Sequence, residues 1–217
     1  MKRRTLDIIL SSGGLGLAVL LVVLGMVLAS NASFAKDYVT DQLTQQNITF
    51  TPAEALSDEE QAQPCLVTYA GQPLTNGKQA ECYANSYIGL HLQGTAGGMT
   101  YAELGPVQSG LRDEVAAAEA SNDPALADLQ AELAGVTQQR ETVFKGETLR
   151  GMLLTSYGFS EFGVKGDQVA TVAYIAAFVL LLLAAAGYFH AFRTPRNRPF
   201  APLEEIVEDF DKELERV

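Results

Sequence analysis

The stretch IILSSGGLGLAVLLVVLGMVLASNASFA, residues 8–35, carries no charged side chain, and it has a counterpart in QVATVAYIAAFVLLLLAAAGYFHAF, residues 168–192. Each is longer than the roughly 20 residues a helix needs to cross a bilayer core about 30 Å thick. The sequence therefore predicts an all-α membrane protein with two transmembrane helices. A cleaved signal peptide is the alternative reading of the first stretch, because Lys2-Arg3-Arg4 fits an n-region and Ser33-Phe34-Ala35 a small-residue cleavage site. The apolar part of such a peptide runs about 7–15 residues. The greater length here favours a retained anchor.

Orientation follows from the flanks, because Lys and Arg close to a span stay on the cytoplasmic side. Lys2, Arg3 and Arg4 precede the first span, and Arg193, Arg196 and Arg198 follow the second. Both termini are thus expected in the cytoplasm of a multi-pass plasma-membrane protein. The resulting organisation is a cytoplasmic N-terminus (1–7), a first span (8–35), an extracytoplasmic domain (36–167), a second span (168–192) and a cytoplasmic linker and tail (193–217). Residues 36–167 hold 18 acidic and 7 basic side chains, whereas the rest of the chain is balanced at 8 of each. All the excess negative charge is therefore placed outside. Such a surface repels nucleic acid, so no nucleic-acid partner is expected.

Cys65 and Cys82 are the two cysteines, and in an oxidising compartment such a pair is more often a disulfide than two free thiols. A metal site would need more ligands: no Cys-x-x-Cys occurs, and His91 and His190 are the two histidines. Neither a metal nor another cofactor is expected.

The outer segment reads as mainly helical, with a helical hairpin and a disulfide-pinned loop. Tyr38, Val39 and Leu43 continue the first span at helical spacing until Thr51-Pro52. Residues 57–78, with Pro64, Pro73 and the turn dipeptide Asn76-Gly77, read as a loop or short hairpin. A short helix is predicted over 80–92, closed by Gly94, Gly97 and Gly98. Thr100 and Glu103 fit a capping box, opening a helix that Gly105-Pro106 should cut short. Helices over 107–120 and 124–144 then form the hairpin, the second introduced by Asn122-Asp123-Pro124 and turning Leu126, Leu129, Leu133 and Val136 inward. A last helix is predicted over 147–159.

Beyond the second span, Leu203, Ile206, Val207, Phe210, Leu214 and Val217 form an apolar stripe at helical spacing, with acidic residues on the other face. Helices lying on membranes carry Lys and Arg on that face. The stripe therefore reads either as a docking surface for a protein partner, which includes a second copy of the chain, or as a frayed acidic tail. Within the spans, small residues recur four apart: Ser12 with Gly16, Gly14 with Ala18, Gly25 with Ala29, Ala173 with Ala177, and Gly187 with Ala191. Such spacing allows close helix contact, either between the two spans or with other integral membrane proteins. Neither span holds Asp, Glu, Lys or Arg, which disfavours transport.

Asp41-Gln-Leu43 with Ile48-Thr-Phe50, Ala70-Gly-Gln72, Tyr83-Ala-Asn85, His91-Leu92, Ala96-Gly-Gly98 with Thr100-Tyr101, and Phe144-Lys-Gly-Glu-Thr-Leu-Arg-Gly151 with Tyr157 give the chain its family likeness. In these pieces and their order it resembles an actinobacterial family of two-span membrane proteins of unknown function. The resemblance implies a bacterial plasma membrane and no known chemistry, and it does not extend to the cysteine pair. Members of that family often carry a label as aromatic ring-opening dioxygenases. A non-haem iron site uses two histidines and a carboxylate, and the topology puts His91 and His190 on opposite sides of the membrane.

No Gly-x-Ser-x-Gly elbow, phosphate-binding glycine loop or zinc-protease motif occurs. No catalytic residue is assigned and no enzymatic activity is expected. Glu147 and Arg150, beside Gly146 and Gly151, are the candidate recognition residues, although a cap and a helix-surface ion pair is the simpler reading of them. Two function classes stay open. One is a non-enzymatic accessory or interaction subunit of a larger cell-envelope or respiratory membrane assembly. The other is an extracytoplasmic ligand sensor signalling through the tail. An uncharacterised enzyme is a third, weaker reading.

Overall fold

The computed structural model describes residues 2–196, so the predicted tail stripe from Leu203 to Val217 lies outside the described residues. The elements are α1 (Arg3–Gln45), α2 (Asp58–Gln61), α3 (Pro64–Tyr69), α4 (Gly77–Cys82), a π-helical turn (Tyr83–Ile88), α5 (Gly89–Gly94), α6 (Tyr101–Ser121) and α7 (Leu126–Arg193), with short 3₁₀ turns at Ala53–Ala55 and Ala96–Gly98. Among the described residues there is no strand, and the β-bridge between Thr49 and Pro73 is isolated. The chain divides into two compact units. One comprises the described parts of residues 1–31 and 165–217, and the other is Ala32–Val164.

In the first unit the apolar stretches of α1 and α7 pack antiparallel along a seam of small residues. A methyl group added at Gly14 would stand 3.9 Å from Ala184, and one at Gly25 would collide with the Tyr174 ring at 2.7 Å. Ala18, Ala173, Ala177, Ala184 and Ala191 are buried in the same seam. Several of the predicted small-residue pairs thus serve contact between these two helices, while Gly16 faces open space. Polar groups close one end: Ser12 and Tyr188 share a hydroxyl hydrogen bond of 2.7 Å, and Asp7 Oδ2 lies 2.9 Å from His190 Nδ1. The outward faces expose Leu10, Val19, Leu20, Ile175, Phe178 and Leu183. Both helices are long and apolar enough to cross a membrane.

In the second unit the core joins Val39 and Leu43 of α1, Phe50, Leu66, Leu74, Ala80, Cys82, Ala84 and Ile88 with Leu153 of α7. Residues 57–78 are not one loop: Asp58–Gln61 and Pro64–Tyr69 are helical, while 70–76 stays non-helical ahead of α4. Ser57 Oγ accepts the Glu60 N–H while Glu60 accepts the Ser57 N–H, which opens α2. Pro64 takes the first position of α3, where its missing N–H costs nothing.

Asn76 and Gly77 do not form the predicted turn. Asn76 caps α4 through a capping box with Gln79, so the helix starts at Gly77, before the predicted 80. Gly77 is there for proximity: a Cβ on it would fall 2.6 Å from Ser160 Oγ on α7. Gly97 (φ +64°) and Gly98 (φ +79°) make the turn after α5, as their spacing suggested.

The capping box of Thr100 and Glu103 is formed, but Pro106 does not end the helix it opens. A proline early in a helix removes one backbone bond, and burial of Leu104, Gln108 and Leu111 compensates for it. Asn122 ends α6 in the left-handed conformation at φ 49°, and Asp123 Oδ1 accepts the Ala125 N–H at 2.8 Å ahead of α7. The hairpin is real and antiparallel. Gln130 reaches Glu119, Thr137 reaches Gln108, and Phe144 packs on Tyr101. Leu126, Leu129, Leu133 and Val136 are half-buried. The predicted breaks between 144 and 168 are absent, for α7 is one helix. Each glycine in it costs about 1 kcal/mol relative to alanine, too little to interrupt a helix held by packing on both sides.

Candidate functional site

Cys65 and Cys82 are joined, with an S–S length of 2.01 Å and Cα atoms 5.9 Å apart. The bond ties α3 to the end of α4, directly before the π-helical turn. That turn carries Asn85, and α5 follows it onto α7. Leu92 can approach α7 because residue 146 is glycine: a Cβ there would meet Leu92 Cδ2 at 2.6 Å.

These placements bring Asn85 against Arg150. Arg150 Nη2 donates to Asn85 Oδ1 at 3.2 Å, and Nη1 reaches both Glu147 oxygens at 3.4 Å. Nε is buried without a partner, although the side chain as a whole is 35% exposed. A cavity of about 140 Å³ opens here, bounded by Asn85, Leu92, Gln93, Thr100, Glu147 and Arg150. The two residues singled out from the sequence thus do meet, but as a long, loose ion pair. Asn85 is the partner that sequence reasoning missed, since nothing in the chain's spacing links position 85 to position 150.

On the other side of Glu147 an open groove of about 580 Å³ runs between α1 and α7. Tyr38, Val39 and Gln42 form one wall, and Met152, Thr155 and Phe159 the other. Its aromatic rim is continuous: Phe34 stacks on Tyr38 at 5.8 Å, and Tyr38 meets Phe159 edge-on at 6.2 Å. Met152 is 66% exposed and nearby Phe162 is 77% exposed. Contiguous apolar patches belong to protein or membrane contacts or to ligand grooves, whereas singly scattered apolar side chains need no explanation.

Three further clusters brace the unit. Lys78 donates to Tyr157 Oη at 3.1 Å and lies 3.4 Å from both Glu81 and Glu161; the Tyr157 hydrogen bond, with those two carboxylates, raises its pKa. Buried Gln108 donates to Thr137 and accepts from Arg140 at 2.8 Å, while the Arg140 guanidinium covers the Tyr101 ring at 4.1 Å. A chain of rings runs Phe50–Tyr83–Tyr87–His91, and burial, followed by the neighbouring Tyr87 and Glu60, pushes the Tyr83 phenol up.

His91 donates from Nδ1 to the Tyr87 carbonyl at 2.7 Å and lies 3.6 Å from Glu60. It sits in the Ala32–Val164 unit and His190 in the other. No group of three or more metal-ligating side chains gathers among the described residues. Compared with protein families, with curated proteins and with solved structures, the chain matches none.

Proposed function

We propose that the chain is a non-catalytic, membrane-anchored interaction subunit of a larger membrane assembly in the cell envelope or respiratory chain. It crosses the bilayer twice with both termini in the cytoplasm and holds the Ala32–Val164 unit outside. The observation that carries the reading is the apolar groove between α1 and α7, with Tyr38, Met152 and Phe159 uncovered along it. Leaving such side chains in water costs roughly 1.5–3 kcal/mol each relative to burial, and a second integral membrane protein laid in the groove recovers that free energy. The spans support it too, for their outward faces offer apolar surface that a bilayer or a neighbouring helix covers.

The test is a photoreactive benzoylphenylalanine at position 152 in the native membrane. The reading expects an irradiation-dependent adduct of discrete mass whose partner peptides come from a membrane protein. If irradiation yields no protein adduct at 152 or at a second site, 38, the groove is not a protein contact and the subunit reading fails.

The cavity at Arg150 favours a second reading, an extracytoplasmic ligand sensor signalling through the tail. Its guanidinium leaves Nε buried without a partner, which a surface ion pair alone does not require.

A further inference from the structure

We infer that the cavity at Arg150 is a binding site for a small α-amino acid, taken as a zwitterion with its carboxylate on Arg150 and its ammonium on Glu147. A guanidinium carries five N–H donors in a planar fork suited to a carboxylate. In this structure one Nη2 donor goes to Asn85, Nη1 points to Glu147, and Nε has no acceptor. The Glu147 contact is poor. Both carboxylate oxygens lie at 3.4 Å from the same nitrogen, whereas a charge-assisted bond closes to about 2.7–2.9 Å and the strong form is a fork meeting a fork. An incoming carboxylate that engages Nη1 and Nη2 together is a better partner than the one already there.

A simple anion would have to displace Glu147 and leave it beside bound negative charge. A zwitterion avoids that repulsion, because its ammonium lies next to its carboxylate and takes the Glu147 oxygens as acceptors. The site holds one cation and one anion within a single ion-pair distance, which matches the charge spacing of an α-amino acid. Its size sets the side chain. A volume of about 140 Å³ equals the share of about five waters in the liquid, room for glycine or alanine. Leu92 and Val143 supply an apolar wall for a methyl group, and Asn85 and Gln93 supply amides at the rim. The π-helical turn that presents Asn85 is a local irregularity of the kind that recurs at functional sites.

This inference deepens the sensor reading, but its test does not depend on signalling through the tail. Equilibrium dialysis of the purified full-length chain in detergent, with radiolabelled L-alanine, measures binding directly. Unlabelled propionate and isopropylamine serve as competitors that carry one charge each. The inference expects saturable binding of L-alanine, at least tenfold weaker in Glu147→Gln and in Arg150→Lys, and competition by neither single-charge compound at equal concentration. Glu147 is exposed on α7, so Glu147→Gln keeps the fold and isolates the ammonium contact. Absence of saturable L-alanine binding overturns the inference. Unchanged affinity in Glu147→Gln, or competition by propionate as strong as by unlabelled alanine, also overturns it, in favour of a plain anion site.

Discussion

Replacing Gly77 by alanine tests the packing of α4 on α7. A Cβ at position 77 falls 2.6 Å from Ser160 Oγ, closer still to Ser160 Cβ, and 3.3 Å from Tyr157 Cα. The hydroxyl can rotate away, but Ser160 Cβ and Tyr157 Cα are fixed to the helix. Carbon atoms at rest are about 3.5–4.0 Å apart, so α4 has to retreat by about 1 Å. That movement loosens Gln79, Ala80 and Cys82, all buried on the same short helix. Overpacking of this kind costs about 1–3 kcal/mol.

The sign of the effect discriminates, because Gly77 has no left-handed backbone. On chain entropy alone alanine there should stabilise by about 0.4–1 kcal/mol. Pulse proteolysis of the detergent-solubilised chain in urea reads the unfolding of the Ala32–Val164 unit. With a slope of about 1–3 kcal/mol/M, a loss of about 2 kcal/mol lowers the midpoint by roughly 1 M. Ser160→Gly removes the obstructing Cβ and by itself costs about 1 kcal/mol as a helical glycine. Adding it to Gly77→Ala should restore stability, with a favourable coupling of at least about 1 kcal/mol between the two sites. A midpoint for Gly77→Ala at or above wild type, or simple additivity in the double variant, refutes the close approach.

Replacing both Cys65 and Cys82 by alanine should lower stability by about 3 kcal/mol in the chain-entropy account, read by the same proteolysis. Alkylation of the native protein, checked by mass spectrometry, should find no free thiol. Hydrogen bonds from the Thr100 backbone and then its hydroxyl hold Glu103 below its usual pKa, so the stability it adds is present above about pH 4.3 and is lost as pH falls through its lower folded value. Hydrogen exchange at the first-turn amides of α6, corrected for intrinsic rate, should rise on acidification in the wild type and be flat in Glu103→Gln. Cysteine reporters placed by Ala120→Cys and Glu205→Cys should label from opposite sides of intact cells, and labelling of 205 from outside would reverse the proposed orientation. Ile206→Asp with Phe210→Asp should leave membrane insertion intact and reduce recovery of the adduct partner, because docking of the stripe would then bury an unpaired carboxylate at a cost of several kcal/mol; unchanged recovery would make the tail a solvated extension.

The parts of this fold that were legible in the sequence are those governed by local chemistry. Two apolar stretches, a capping box at Thr100 and Glu103, and a cysteine pair can each be read from composition or short spacing, and all three appear in the structure. Much of what sequence reasoning misjudged depends on partners distant in the chain, or on which of two local roles a residue takes. Asn76-Gly77 looks like a turn because both residues are common in turns, yet the asparagine caps a helix and the glycine makes room for a serine more than eighty positions away. Pro106 and the glycines of α7 look like breaks because their intrinsic cost is real. That cost is about 1 kcal/mol for each glycine, and burial along the helix exceeds it.

The candidate site follows the same division. Glu147 and Arg150 could be picked out as candidate recognition residues, being one helical turn apart on a predicted helix, but a surface pair is the simpler reading of their spacing. Their significance comes from Asn85, which arrives by way of the disulfide after α3, the π-helical turn and the glycine at 146 that lets Leu92 in. Asn85, Leu92, Gly98, Thr100, Glu147 and Arg150, drawn from four separate elements and turns, all line this one cavity. Scattered along the sequence they had no common meaning; once folded, they surround the guanidinium whose Nε lacks a partner. The loose Glu147 contact on that guanidinium, with both carboxylate oxygens 3.4 Å from Nη1, is why the decisive measurement is whether a small zwitterion binds there.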